Sequence, residues 1–152
     1  MKNHTIRILV ACLLTSSLMG CEIAARVAPS GKYEGLANKD PSKGTIFVYR
    51  EKAFAGAANQ YDVMLNGVLV GSVPNGSFIS VDADAGQTKV EPRTLTSFGF
   101  GKGSIVRVEK GKSYCLKLTT NFCMQCKSAD ITVVSNEQCE VDMKSLEKVR
   151  LN

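Results

Sequence analysis

The chain has 152 residues, 19 basic and 14 acidic side chains, a formal net charge of +5 and one histidine, His4. That length supports one domain with a real hydrophobic core. The excess of positive charge is too small to indicate nucleic acid.

The amino terminus reads as an export signal. Lys2 and Arg7 precede the apolar run Ile8 to Leu14, and small and polar residues follow. The uncharged stretch from Ile8 to Cys21 is 14 residues long, short of the roughly 18 of a membrane-spanning helix. Leu18-Met19-Gly20-Cys21 resembles the lipobox of bacterial lipoproteins. The resemblance implies a signal peptide over 1–20, cleavage after Gly20 and acylation of Cys21. Two or three acyl chains would anchor the chain stably, whereas one binds only marginally. Glu22 is not the aspartate associated with retention in the inner membrane, so the expected location is the outer membrane, lipid-anchored and facing the periplasm. The expected membrane contact is through the acyl chains on Cys21. Removal of 1–20 leaves 132 residues with 17 basic and 14 acidic side chains, and no histidine. A Ser-His-Asp triad, a Cys-His pair and histidine metal sites are then unavailable.

Residues 21–43 read as the lipidated cysteine and a tether, because 22–43 mix alanine, glycine, proline and charge without periodicity. Tyr33 and Leu36 are candidates for docking on the domain. A domain over 44–152 follows. Thr45 to Arg50 (TIFVYR) is a β-branched and aromatic run, hence a strand. Tyr61 to Asn66 and Val68 to Ser72 flank Asn66-Gly67, a strong hairpin signal because both residues tolerate positive φ. Further strands are expected at Ser77 to Asp82, Gln87 to Glu91, Ser104 to Glu109, around Tyr114 to Leu118, and at Ile131 to Val134, with turns or loops between them. Seven or eight short strands at turn-punctuated intervals predict an antiparallel β-sandwich. Ser135 to Gln138 has the form of a capping box, and helix formers fill Glu137 to Arg150, so a C-terminal helix is expected, although Cys139, Val141 and Met143 also alternate as a strand would.

GTIFVYRE followed by YDVMLNGVLVGSVPNGSFISVDADAG resembles a family of small bacterial lipoproteins catalogued as domain of unknown function 2846. The shared pattern is a "YVYR"-like strand, a "V-x-L-N-G-x-x-V-G" hairpin and an "N-G-S-F/Y" turn, over about residues 44–91. Ala85-Gly86 departs from the family's "P-G" turn, and the cysteine cluster lies outside the matched stretch. The resemblance implies a sandwich of the transthyretin or PEGA type and no assigned activity.

In an exported protein the four cysteines besides Cys21, namely Cys115, Cys123, Cys126 and Cys139, point to two structural disulfides. A four-thiolate zinc site and a redox dithiol are the alternatives. A catalytic C-x-x-C needs a lowered thiolate pKa, commonly from a helix N-terminus, whereas Cys123-Met-Gln-Cys126 lies between expected strands. Zinc claws usually pair two close-spaced motifs, and Cys115 and Cys139 are isolated. Sequence does not choose among three connectivities. Cys123 with Cys126 and Cys115 with Cys139 is the preferred one, pinning loop and terminal helix to the sheet.

Three other features are candidates. Asp82-Ala-Asp84-Ala-Gly86 spaces oxygens as a calcium loop begins, but lacks the remaining acidic ligands, so turn-forming aspartates are expected. Arg50, beside Glu51, is a candidate for holding an anionic ligand, with a solvated cross-strand partner as the expected reading. Phe98, Phe100 and Lys102, in the glycine-rich SFGFGKG loop, are candidates for partner binding, with folding back over the open end of the sandwich as the competing reading. No nucleophile elbow, phosphate loop or zinc signature is present. The expected function is a non-catalytic lipoprotein that binds or supports another envelope component, protein or glycan, with no cofactor, no metal and no nucleic acid. A structural subunit of a trans-envelope secretion machine and a carboxylate-based hydrolase are the alternatives.

Overall fold

The computed structural model describes residues 29–93, 101–122, 127–149 and 151. Its elements are β1 (Pro29–Lys32), β2 (Gly44–Arg50), β3 (Tyr61–Leu65), β4 (Val68–Val73), β5 (Ser77–Ala83), β6 (Gly86–Arg93), β7 (Ser104–Val108), β8 (Ser113–Phe122), β9 (Lys127–Val134), α1 (Asn136–Met143) and β10 (Glu147–Val149). They form a sandwich of a six-stranded sheet, ordered β1-β10-β5-β2-β8-β9, and a four-stranded sheet, ordered β4-β3-β6-β7.

The run TIFVYR explains the layering. Every residue of β2 is buried. Ile46 and Val48 face the four-stranded sheet and pack with Val63, Val73, Val90, Val106, Leu116 and Leu118 in the inter-sheet core. Phe47 and Tyr49 point the opposite way, into a second cluster with Phe78, Cys115, Cys139, Met143 and Leu146. A strand apolar on both faces needs cover on both, and here α1 and the segment around Tyr33 and Leu36 supply the outer layer. β8 divides in the same way, with Leu116 and Leu118 inward and Cys115 outward.

The hairpin β3–β4 turns at Asn66 and Gly67, with φ of 48° and 82°, as the Asn-Gly signal predicts. Asn66 also exchanges two bonds with Lys89 of β6, donating its N–H to the Lys89 carbonyl at 2.9 Å and accepting the Lys89 N–H on Oδ1 at 2.8 Å. That contact fixes the hairpin against its neighbour.

Three expectations are corrected. Two pairings are parallel, β2 with β8 and β5 with β10. Between β2 and β8 the chain passes through β3 to β7, and between β5 and β10 through β6 to α1; connections that long permit parallel pairing. The C-terminal helix stops at Met143 instead of continuing to Arg150. Its start follows the capping reading, since Ser135 Oγ accepts the Gln138 N–H at 3.2 Å. Its end is set by tertiary demand: Leu146 and Val149 are buried in the outer and inner clusters respectively, and Glu147 N–H donates to the Gly76 carbonyl beside the edge of β5. An open strand edge and two burial sites outweigh helix propensity. Third, the stretch read as tether is structured from Pro29 onward: β1 pairs with β10, Lys32 opposite Glu147.

Candidate functional site

Three constellations of side chains are candidates for a functional site. The first lies under α1. Tyr49 on β2 donates its hydroxyl to Asp142 Oδ2 at 2.6 Å, Lys117 on β8 reaches the same oxygen at 3.2 Å, and Gln138 Nε2 donates to the other oxygen at 2.6 Å. Lys117 also pairs with Glu51. Burial alone would raise the Asp142 carboxyl, but the hydrogen bonds from Tyr49, Gln138 and Lys117 outweigh it and hold Asp142 below the usual carboxylate range. Burial, then the bond to Asp142, pushes the Tyr49 phenol up. The Glu51 bond leads the causes that raise Lys117. Each group is thereby held in its ordinary protonation state, the reverse of what an acid–base catalyst needs near neutral pH. Together with the disulfide between Cys115 of β8 and Cys139 of α1, whose Cα atoms are 6.1 Å apart, this network fastens the helix to the sheet. The two oxidised sulfurs are not free to act as zinc thiolates.

The second is the loop 51–60 between β2 and β3. The Arg50 side chain, only 2% exposed, turns inward instead of into solvent as expected. It donates through Nη1 to the Asn59 carbonyl at 2.6 Å and through Nη2 to the Gly56 carbonyl at 2.8 Å, and its guanidinium lies 5.2 Å from the centre of the Tyr61 ring. Carbonyls and an aromatic face take the place of a carboxylate, and burial lowers its pKa from the usual value. From the other side Asn75 accepts the Ala53 N–H and donates to the Ala53 carbonyl, both at 2.9 Å. Gly56, at φ +73°, makes the bend that lets its carbonyl face Arg50. Phe54 stands on this clamped loop with a relative exposure of 102%. It is the most exposed of the large apolar side chains described. Composition could have flagged it, since Ala53-Phe54-Ala55-Gly56-Ala57-Ala58 carries no charge, but the clamp needs the fold to be seen.

The third is a groove of about 410 Å³ on the outer face of the six-stranded sheet, between β2, β5 and β10 and the segment 30–39. Phe47 and Phe78 form part of its floor, and Tyr33 meets Phe78 edge-on at 5.8 Å between ring centres. Burial, then the Glu140 carboxylate, pushes the Tyr33 phenol up. Asp82 borders the groove and accepts the Thr45 hydroxyl at 2.9 Å across the β2–β5 pairing.

Of the partner-binding residues read from the sequence, Lys102 has an exposed side chain, while its main chain straps the two sheets: its N–H donates to Asp130 Oδ1 and its carbonyl accepts the Ile131 N–H, both at 2.8 Å. Phe98 and Phe100, Cys123 and Cys126, the signal over 1–20 and Cys21 lie outside the described residues. Among the described residues no helix is long and apolar enough to cross a membrane.

The fold defines a β-sandwich with a short helix bound covalently to its outer face. The chain belongs to the family described as "Protein of unknown function (DUF2846)", whose model matches residues 40–131. That span runs from the approach to β2 into β9 and stops short of Cys139, α1 and β10. No curated protein and no solved structure matches the chain.

Proposed function

We propose that this chain is a lipid-anchored protein of the cell envelope that acts by binding, docking another envelope component through the loop that carries Phe54. The export signal and Leu18-Met19-Gly20-Cys21 support the anchor. The disulfide between Cys115 and Cys139 supports an oxidising compartment. The observation that carries the binding role is Phe54 itself, fully exposed on a loop held by Arg50 from within and Asn75 from outside. A phenyl ring on a pre-ordered loop gains its burial energy on docking without the entropy cost of ordering the chain. Lys52 beside it is exposed and in no ion pair among the described residues, which suits a protein pocket with an acidic rim.

The test places a photo-reactive amino acid at position 54, and at Lys110 as a control, in intact cells. The expected result is a discrete protein adduct from position 54 alone. An adduct to phospholipid only, or the same adducts from both positions, refutes docking through this loop. Palmitate labelling tests the anchor separately, with loss of label expected in Cys21→Ala.

A further inference from the structure

Strand β8 outruns its neighbour. Its pairing with β2 ends at Lys117, whereas its pairing with β9 continues to Phe122. Past Arg50 the chain is drawn to the opposite side of β2, toward β5. There the Asn75 side chain binds both main-chain groups of Ala53, and Lys52 lies against Gly76. Among the described residues no main-chain bond joins 51–60 to β8. The position beside 118–122 where β2 would continue is therefore a slot in the six-stranded sheet.

The main chain fixes which groups face this slot. Along a strand, successive residues direct their N–H and C=O groups to alternate sides. The Lys112 carbonyl points to β2, since it accepts the Thr45 N–H at 2.9 Å, and the even-numbered residues of β8 follow it. The partner strand agrees. Leu118 stands opposite Ile131, whose N–H turns away from β8 to the Lys102 carbonyl at 2.8 Å, so the β8–β9 bonds run through odd-numbered residues such as Thr119. The Leu118 carbonyl, the Thr120 N–H and carbonyl, and the Phe122 N–H thus point into the slot. The other edges carry features that discourage strand addition. β1 has Pro29, Gly31 and Lys32, β4 a bulge opposite Val63 and Met64, β7 the exposed Arg107, and β9 the Lys102 strap at Ile131. Residues 118–122, LTTNF, contain no charge, proline or glycine.

Alternating donors and acceptors at strand spacing match another extended main chain. A second copy is the poorer occupant: with its β8 antiparallel in the slot, its β2 would lie in line with the first copy's β8 and meet it end to end at Phe122. A segment of a different protein brings no such neighbour. Uncharged β-branched residues suit it, because Leu118 and Thr120 offer no counter-charge. We propose that the slot receives an extended, uncharged segment of a partner protein, added as a strand beside β8 in line with β2. The site is separate from the Phe54 loop and its test does not depend on that loop.

The probe is the pentapeptide threonyl-valyl-threonyl-valyl-threonine, acetylated and amidated, titrated into the isotope-labelled protein. In the free protein the Thr120 amide should exchange quickly with solvent, while that of Thr119, turned to β9, is protected. Peptide should shift the Thr120 and Phe122 amides saturably and protect them. N-methylation along one edge of the peptide should weaken binding about tenfold or more, and along its other edge should not. Thr120→Pro should weaken binding as much, with the remaining spectrum unchanged; if that variant fails to fold, the methylated peptides still decide. Phe54→Ala should leave peptide binding unchanged. Absence of shifts at millimolar peptide overturns the proposal, as does equal loss on methylating either edge, or a Thr120 amide already protected in the dilute free protein. Protection of Thr120 that grows with protein concentration alone overturns the choice of occupant in favour of a second copy.

Discussion

Replacing both Cys115 and Cys139 by alanine tests the idea that the outer layer is stapled on covalently. The two residues are 24 apart in sequence, and cross-linking a loop of that size removes enough chain entropy from the unfolded state to be worth about 3.5 kcal/mol. The sulfurs are also buried, at 1% and 0% exposure, so their packing is lost as well. For a domain of this size the melting temperature should fall by roughly 10–15 °C. Urea denaturation followed by circular dichroism is the suitable assay, because the chain has no tryptophan. Hydrogen exchange should then show the amides of Cys139 to Met143 losing protection before those of β2, since β2 keeps its place between β5 and β8. A stability loss below about 1 kcal/mol, or equal loss of protection in α1 and β2, refutes the staple.

Asp142→Asn should cost about 2 kcal/mol by urea denaturation, because a buried carboxylate with three hydrogen-bond donors loses its charge. It should also flatten the acid limb of the stability profile. Asp142 has a lowered folded pKa, so its contribution is present above about pH 4, the unfolded value, and disappears as pH falls through the folded one. Lys117 is raised, so its contribution holds up to about pH 10 and fades as pH rises through its folded pKa. Arg50→Ala takes the donor from the Asn59 carbonyl and leaves the Gly56 carbonyl with the Asn59 N–H alone and should cost about 2 kcal/mol, with proteolysis of the 51–60 loop as the local readout. Gly101→Ala should cost at least about 2 kcal/mol, because a Cβ there lands on the Ala129 carbonyl and lifts the strap that holds Lys102 to β9; thermal melting checks it.

Much of the fold was legible because most strands announce themselves locally. Asn66-Gly67 names its turn, and TIFVYR reads as a strand without reference to anything distant. What escaped were features decided by partners remote in sequence. β1 has the composition of a tether, PSGK, all four residues exposed, and becomes a strand only because β10 offers an edge. Lys148 and Val149 belong to a stretch of helix formers, yet the edge beside Ser77 and Phe78 draws them into a strand. Arg50 looked like a surface cation because nothing local reveals that two carbonyls of the next loop and the Tyr61 ring would close around it. Of the candidate sites, Cys115 with Cys139 belongs to the preferred connectivity, but the sequence leaves three open and only the fold brings these two sulfurs together. Phe54 is inconspicuous in the sequence: in a chain with a phenylalanine-glycine stretch elsewhere, a single phenylalanine among alanines carries little signal until its exposure is known.

The place of β10 also bears on the order in which the molecule can be completed. Its three residues lie between β1 and β5, so Ser30 and Lys148, 118 positions apart, are neighbours. A chain made from its amino terminus delivers β1 early, yet that strand has nowhere to lodge until the tail has arrived. The two extremities therefore act as a clasp. Loss of the last handful of residues would undo the beginning of the domain as surely as its end, and would leave β5 with a bare flank open to a strand from another molecule.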